Sequence, residues 1–500
     1  MNRALLLLCI FTSLQSCNHM TMTSESTVYA DAMTLDTTDY NALHKTYKEA
    51  ALSHRRFKHQ DIVDLIQKLG GQGVLEVAEI GKSVENRAIY KLQYGSGEKK
   101  VMLWSQMHGD EPTATMALFD IFNFLSGADD GFDSIRTCLR DHVTLHFIPM
   151  LNPDGAEHYM RRNAQYIDLN RDARANQTVE AALLSEMARK IKPAYGFNLH
   201  DQHIYYNVPG TKNPVTIAML APAYNTEREV NDVRKGAMQL IVGMNTMLQQ
   251  YVPNAVAKYD DTHSPGGFGD NFQAWGASTV LIESGALEGD PEKQEIRRFN
   301  FAIILNALLE IAQGSYKKYD HKRYNDIPFN ASQLHDVVLR QVDLGTDSVP
   351  LETDIAIRRG ELTVERDYCV RGWVEDIGDL EQAYGYDELD AEGLRFVKGK
   401  IYPQTFQTVN DIDNSRAWEL LKDGYIAVKV RSRGANRLHN LPLAVFAQSA
   451  DFVPTPKIVL TGTSNFFLGD GMTLKYAVVN GYLIDLSRPP QENFYKNWIN

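Results

Sequence analysis

The chain has 500 residues, 44% hydrophobic and 23% charged, ordinary globular usage that excludes a disordered, collagenous or long coiled-coil protein. Lys and Arg number 51 against 63 Asp and Glu, a formal charge of −12, and an acidic balance argues against nucleic acid as the main partner. Four Cys do not make a disulfide scaffold, no apolar run is long enough to span a bilayer, and the length predicts roughly two to four domains.

The N-terminus reads as an export signal. Arg3 is the only charged side chain in MNRALLLLCIFTSLQSC, and an apolar run from Ala4 to Phe11 follows it. A short basic region, a short apolar region and small residues before a cleavage point describe a secretory leader. The ending Leu14-Gln15-Ser16-Cys17 resembles the bacterial lipobox, which implies that residues 1–16 are removed and Cys17 is lipidated. The expected product is exported and anchored to the bacterial cell envelope, on its periplasmic or surface side. The Ser-, Thr- and Met-rich stretch to about residue 40 reads as a tether. Cys9 is then discarded, and Cys138 and Cys369 are expected as buried free thiols.

A helix is predicted over Asn41–Leu69, ending at Gly70-Gly71. Strands and helices then alternate. Val101–Met107 reads as a buried strand, Pro112–Leu125 as a helix with Pro in its first turn, and Val143–Met150 as a second strand. Val179–Ile191 is a predicted helix, Tyr195–Leu199 a third strand and Val230–Leu248 a helix. Ser278–Ile282 is a fourth strand, and Pro291–Ala312 a long apolar helix. This alternation predicts an α/β layered domain with a mostly parallel sheet over residues 41–318. From 330 to 500 the texture is β-rich, with short strands expected at Ala356–Arg358, Leu362–Val364, Ile426–Arg431, Ala444–Phe446 and Ile458–Leu460.

Four predicted strands end in polar residues of unusual kind. The ends are Gln106-Met107-His108-Gly109-Asp110-Glu111, Asn152-Pro153-Asp154-Gly155, Asn198-Leu199-His200-Asp201 and Ile282-Glu283-Ser284-Gly285. Ligands in open α/β sheets bind outside the carboxyl ends of strands, so the four are expected to meet in one crevice. His108, Glu111 and His200 supply the three ligands of a catalytic zinc ion and leave one position open for water. Glu283 follows an apolar run that gives a carboxylate little structural purpose, and it is the expected general base. Asn170 and Arg171 offer an amide and a guanidinium fork for a terminal carboxylate. A further Arg, Arg161 or Arg162, could polarise the scissile carbonyl.

These pieces, with Asp168-Leu169-Asn170-Arg171, resemble the zinc carboxypeptidase family typified by carboxypeptidase A, over roughly residues 74–315. The resemblance implies an eight-stranded mixed α/β/α sheet, one Zn²⁺ held by His108, Glu111 and His200, and a promoted-water mechanism with Glu283 as base. It also implies that Asn170 and Arg171 bind the free C-terminal carboxylate of a peptide. It matches Arg161 to the carbonyl-polarising Arg because Arg161 lies two residues before Asn163, with Arg162 the competitor as a substrate-binding residue. The family's mobile Tyr has candidates in Tyr205, Tyr206, Tyr224, Tyr251 and Tyr259, none in an alignable motif. Asp260-Asp261 and Asp270 fall where the specificity pocket should form.

Several residues compete for notice. His203 would close the open metal position and is expected to be a non-ligand. His142 and His146 are expected on one strand face without a metal role. Asp201 either orients His200 or stabilises its turn. Gly70-Gly71 and Gly266-Gly267 lack the setting of a phosphate loop. The expected activity is a metallocarboxypeptidase, with a zinc deacylase of N-acyl amino acids or a non-catalytic binding lipoprotein as the alternatives.

Overall fold

The computed structural model describes residues 33–346, 348–489 and 495–500. Cys9, Cys17 and the expected leader lie outside the described residues. From Leu35 onward the chain folds as one unit. No helix among the described residues is long and apolar enough to cross a membrane.

The chain opens with α1 (Thr37–Tyr47) and α2 (His59–Gly71), then β1 (Glu76–Lys82), β2 (Ala88–Tyr94) and β3 (Lys99–Ser105). Next come α3 (Thr113–Leu125), α4 (Asp133–His142), β4 (Val143–Ile148), α5 (Pro153–His158), α6 (Val179–Ile191) and β5 (Tyr195–Asp201). Then follow β6 (Ile217–Leu220), α7 (Asp232–Tyr251), β7 (Val256–Lys258), α8 (Phe268–Ala274), β8 (Ser278–Ser284) and α9 (Gln294–Gln313).

The eight strands form one mixed sheet in the order β1-β2-β4-β3-β5-β8-β6-β7. Its centre, β4-β3-β5-β8, is parallel throughout. β1, β2 and β6 supply the antiparallel ladders. The expected mixed, mostly parallel α/β architecture is therefore present. Met102 and Trp104 of β3 pack with Leu184 of α6 and Phe272 of α8, and the Trp104 and Phe272 rings lie 4.2 Å apart. Alternation sends Val101 and Leu103 to the other face. In α3 every residue except Asn123 is buried, the mark of a helix enclosed on all sides.

The predicted helix over Asn41–Leu69 is two helices. Asp36 starts α1 as a capping box with Asp39. Between Lys48 and Lys58 tertiary bonds replace the helical ladder. Arg297 donates to the carbonyls of Glu49 and Leu52, and the Glu49 amide donates to Asp120. Backbone groups committed elsewhere cannot continue a helix.

The C-terminal region is β-rich, as expected. It holds β9 (Leu334–Asp343), β10 (Glu352–Val364), β11 (Asp367–Gly378), β12 (Tyr384–Asp390) and β13 (Arg395–Val397). After these come β14 (Lys400–Phe406), α10 (Asn414–Lys422), β15 (Tyr425–Val430), β16 (Leu438–His439) and β17 (Ala444–Ala447). The last to name are β18 (Asn465–Gly469), β19 (Leu474–Val479) and β20 (Tyr482–Asp485). One sheet runs β11-β10-β9-β13-β18-β19-β20, with β12 beside β9. A parallel trio β14-β15-β17 lies next to α10. The two expected strands at 356–358 and 362–364 are one continuous β10, folded onto β11 by a tight turn with Val364 opposite Asp367. Ile458–Leu460 is not a strand; Val459 and Leu460 are exposed, and the bonds to β11 begin only after them, where Thr461 and Gly462 pair with Val374. Cys138 and Cys369 are both buried free thiols.

Candidate metal centre

Strand order explains where the site lies. β3 has β4 on one side and β5 on the other, so the chain reverses its direction of travel across the sheet at β3. Such a reversal leaves a crevice at the strand's carboxyl end. His108 stands just beyond that end. The backbone turns sharply there, with Gln106 in the left-handed region (φ 44°) and its side chain donating to the Gly109 carbonyl (3.1 Å). A non-glycine residue in this conformation is strained and is held by its surroundings.

Two motifs interlock at this turn. A Cβ on Gly109 would fall 2.0 Å from the Gly155 carbonyl carbon, so only glycine lets the segments touch. Asn152 caps α5 by accepting from the Gly155 amide and donates to the Met107 carbonyl (3.2 Å). Asp154, fully buried, ties α5 to Ser83 and Arg87 before β2. Asn152-Pro153-Asp154-Gly155 is thus scaffolding that holds the His108 turn.

His108, Glu111 and His200 converge, each buried, with one ligand atom apiece within 4.8 Å of the others. Glu111 Oε1 is 2.8 Å from His108 Nδ1 and Oε2 is 2.7 Å from His200 Nδ1. The two Nδ1 atoms face each other at 3.1 Å. On its far side His108 Nε2 meets Asp168 Oδ1 at 3.0 Å. That bond makes Nε2 the donor and leaves the Nδ1 lone pair facing inward. The inward Nδ1 atoms of two imidazoles beside a buried carboxylate form a donor set that fits a cation, and two His with one carboxylate is a catalytic zinc set. The electrostatics agree. Burial opposes charge on His108, yet Glu111 and Asp168 outweigh it and push its pKa up to about 9. Glu111 is held well below the usual carboxylate range by the two imidazoles, against the effect of its burial.

Nothing in the sequence singles out Asp168 within Asp168-Leu169-Asn170-Arg171. Asp168 also caps the 3-10 turn Leu169–Arg171 through the Asn170 amide. Ligand-orienting carboxylates typically set metal affinity by about 10–100-fold. We expect Asp168→Asn to raise the zinc dissociation constant by about that factor in competition with a chelating dye. An unchanged constant would remove Asp168 from the site.

Glu283 lies on β8 directly opposite His200 on β5. Burial and the Glu111 carboxylate push its pKa well above the usual range. Arg161 reaches the same cluster, donating to Asp168 Oδ2 at 3.2 and 3.1 Å and to Glu111 Oε1 at 3.0 Å. Arg162 is exposed, donates to the Tyr166 carbonyl (3.0 Å) and is not among the residues lining the cavity. Asn170 and Arg171 line the cavity beside the ligands. Asn170 Oδ1 accepts from the Phe268 amide (2.9 Å), leaving Nδ2 on the His200 side at 3.5 Å from its Nε2. Gly266 packs against the Arg171 carbonyl, 2.7 Å from where a Cβ would stand, which accounts for one of the glycines at 266–267.

The other expectations sort out by geometry. Asp201 pairs with Lys293 (3.0 Å) and Thr113 (2.5 Å) rather than with the His200 ring. His203 stays outside the ligand cluster and stacks on Tyr206. His142 ends helix α4 and is not on a strand, whereas His146 is on β4. Of the five tyrosines, Tyr205, Tyr206 and Tyr259 line the cavity. Tyr224 bonds Glu229, and Tyr251 bonds the Thr37 carbonyl. The Tyr206 and Tyr259 hydroxyls lie 3.0 Å apart. Asp261 is turned onto Arg228 and Arg234, while Asp260 and Asp270 face the cavity. Its volume of about 680 Å³ is in the range that takes a small ligand.

A zinc carboxypeptidase family model matches residues 62–283. The human carboxypeptidase N catalytic chain is 27% identical over 144 residues, covering 25% of this chain and 31% of that protein. An uncharacterized protein of Zymomonas mobilis is 31% identical over 110 residues, covering 22% of this chain and 28% of that protein. The chain thus spans under a third of the length of these curated relatives. A metallo-carboxypeptidase structure from Burkholderia cenocepacia is 19% identical, covers 52% of this chain and 70% of that one, and superposes with a TM-score of 0.42. With the family match lying across the metal ligands and ending on the residue opposite His200, the chain carries a zinc carboxypeptidase family domain over residues 62–283.

Proposed function

We propose that the protein is a zinc metallocarboxypeptidase that hydrolyses the last peptide bond of a substrate with a free C-terminal carboxylate. The observation that carries this reading is the meeting of His108, Glu111 and His200 with Glu283 on the neighbouring strand, in a cavity that Asn170 and Arg171 also line. Arg171 and the Asn170 amide hold the terminal carboxylate. Arg161 polarises the scissile carbonyl and stabilises the negative charge that develops on its oxygen. Glu283 accepts a proton from the attacking water and returns it to the leaving amine. One zinc ion, held by the three ligands, supplies Lewis acidity and lowers the pKa of water to about 7. Export on a lipid anchor at Cys17 belongs to the proposal and rests on residues 1–17 of the sequence alone.

The test is product identity. Zinc-loaded protein is incubated with a peptide library and the released species are identified by mass spectrometry. Free C-terminal amino acids support the reading. An acyl acid released from N-acyl amino acids would replace it with a deacylase, and no product would leave a binding protein. The two neighbouring arginines give a sharper check. Arg161→Ala should lower kcat by about 10²–10³-fold, the usual loss for one oxyanion donor, whereas Arg162→Ala should stay within about twofold. Equal losses at both positions would sink the assignment.

A further inference from the structure

We infer that the C-terminal β-rich region is a positioning element of the catalytic cleft, acting through Tyr205; this rests on the function proposed above. The segment in question is 202–208, which leaves β5 immediately after His200 and Asp201. It carries His203 and Tyr206, and Tyr206 reaches the Tyr259 hydroxyl across the cavity. A loop in that place must be held if the cavity is to keep one shape.

Its two ends are bonded within the domain, the Gln202 amide to the Ser284 carbonyl and Val208 to Asn213, and Val215 donates to the Tyr206 carbonyl; the bonds on Ile204, Tyr205 and one edge of Asn207 come from beyond residue 330. The Tyr205 hydroxyl lies 2.6 Å from Asp336 Oδ2 on β9 and 2.5 Å from the Arg359 carbonyl on β10. Arg359 in turn donates its Nε to Asp336 Oδ1 (2.9 Å), which fixes the acceptor. The Tyr205 ring lies under the Arg358 guanidinium, 4.5 Å from its centroid. The Leu334 amide donates to the Tyr205 carbonyl (3.2 Å), and Asn207 exchanges backbone bonds with Ala331. Tyr386 on β12 donates to the Ile204 carbonyl (2.5 Å). The grip thus spans Ile204, Tyr205 and Asn207. The same β10 places Arg359, Glu361 and Thr363 in the cavity wall. Glu361 is locked there by Arg55 (2.8 Å) and Arg56 (2.7 Å), which precede α2. The C-terminal region therefore supplies part of the wall itself and fixes the loop that forms another part.

A role of this kind differs from mere support of the fold. Tyr205 touches neither the metal ligands nor Glu283 by any hydrogen bond described, so its loss should blur the substrate site and spare the chemistry. The experiment uses the full zinc-loaded chain with Tyr205→Phe, which removes one hydroxyl from a charge-assisted bond. Two readings are taken: hydrogen exchange of residues 202–208, and steady-state kinetics on a peptide with a free C-terminus. Exchange of 202–208 should rise roughly tenfold while β5 and β8 stay protected, as follows from losing one bond to a charged acceptor. KM should rise by a similar factor, with kcat within about threefold and zinc content unchanged. Unchanged exchange, or faster exchange with KM unaltered, would overturn the inference. If Tyr205→Phe does not fold, Tyr386→Phe removes only the bond to the Ile204 carbonyl and takes the same readings. A wild-type chain that releases no amino acid defeats the proposed function, and the exchange reading still scores the clamp.

Discussion

Glu283→Gln is expected to lower kcat by about 10²–10⁴-fold, the range attributable to a positioned general base, while the protein keeps its zinc. The amide matches the carboxylate in size and cannot take a proton. Glu283 is bonded into β8 between β5 and β6, so the backbone has no reason to move. Glu283 is also absent from the ligand cluster, so metal affinity should not follow activity down. Steady-state kinetics with metal analysis of the same sample decides the matter. Full activity would remove Glu283 from the mechanism, and lost zinc would make it a ligand. Glu111→Gln is the contrasting case, because a neutral amide in place of a ligating carboxylate should release the metal along with the activity.

The largest expected effect on stability lies away from the site. Arg297 of α9 and Asp120 of α3 are both fully buried. Arg297 donates Nε to Asp120 Oδ2 (2.7 Å) and Nη2 to Oδ1 (2.5 Å). Its remaining donors reach the carbonyls of Leu52 and Glu49 and the Gln294 side-chain oxygen, and Asp120 also accepts from the Glu49 amide (2.7 Å). Asp120→Ala leaves a guanidinium inside the protein without its counter-charge. Breaking one partner of a buried pair costs about 3–5 kcal/mol, enough to shift a urea midpoint clearly. Asp120→Ala together with Arg297→Met should recover much of that loss, since no unpaired charge remains. A single variant as stable as the parent would contradict this account.

That pair also explains where the sequence misled. The helical periodicity of 41–69 is real on both sides of the break, but nothing local announces that Arg297, far along the chain, will take the carbonyls of Glu49 and Leu52. The site was more legible than the fold around it. His108, His200 and Glu283 each close a largely apolar strand in which a metal ligand or a free carboxylate has no packing purpose, and Glu111 lies three residues beyond His108, so the anomaly can be seen without coordinates. The choice between Arg161 and Arg162 was not legible from chemistry, because adjacent side chains of one kind differ only in where the backbone points them. Asp168 escaped for a different reason: its partner, His108, lies 60 residues away. β1 and β2 were missed because neither is a buried run; β1 has no buried residue at all. In the C-terminal region Arg358-Arg359-Gly360-Glu361 interrupts the apolar pattern, and the structure shows why. The backbone stays paired with β11 while the side chains of Arg359 and Glu361 meet Asp336, Arg55 and Arg56, so β10 reads as two fragments when it is one strand.

The pairing of β5 with β8 sets His200 beside Glu283 in a ladder that runs from Tyr195 opposite Ser278 to Asp201 opposite Ser284. Neighbouring strands stand about 4.8 Å apart, and side chains alternate faces along each of them. The spacing between one metal ligand and the proposed base is therefore written into a hydrogen-bond lattice. Deleting a single residue from the middle of β8 would send the carboxylate through the sheet to its opposite side. Insertions beyond the ladder, after Gln202 or after Gly285, would leave that spacing alone. The count of residues between Ser278 and Glu283 is thus fixed by the ladder itself, a tighter constraint than any on the loops that follow it.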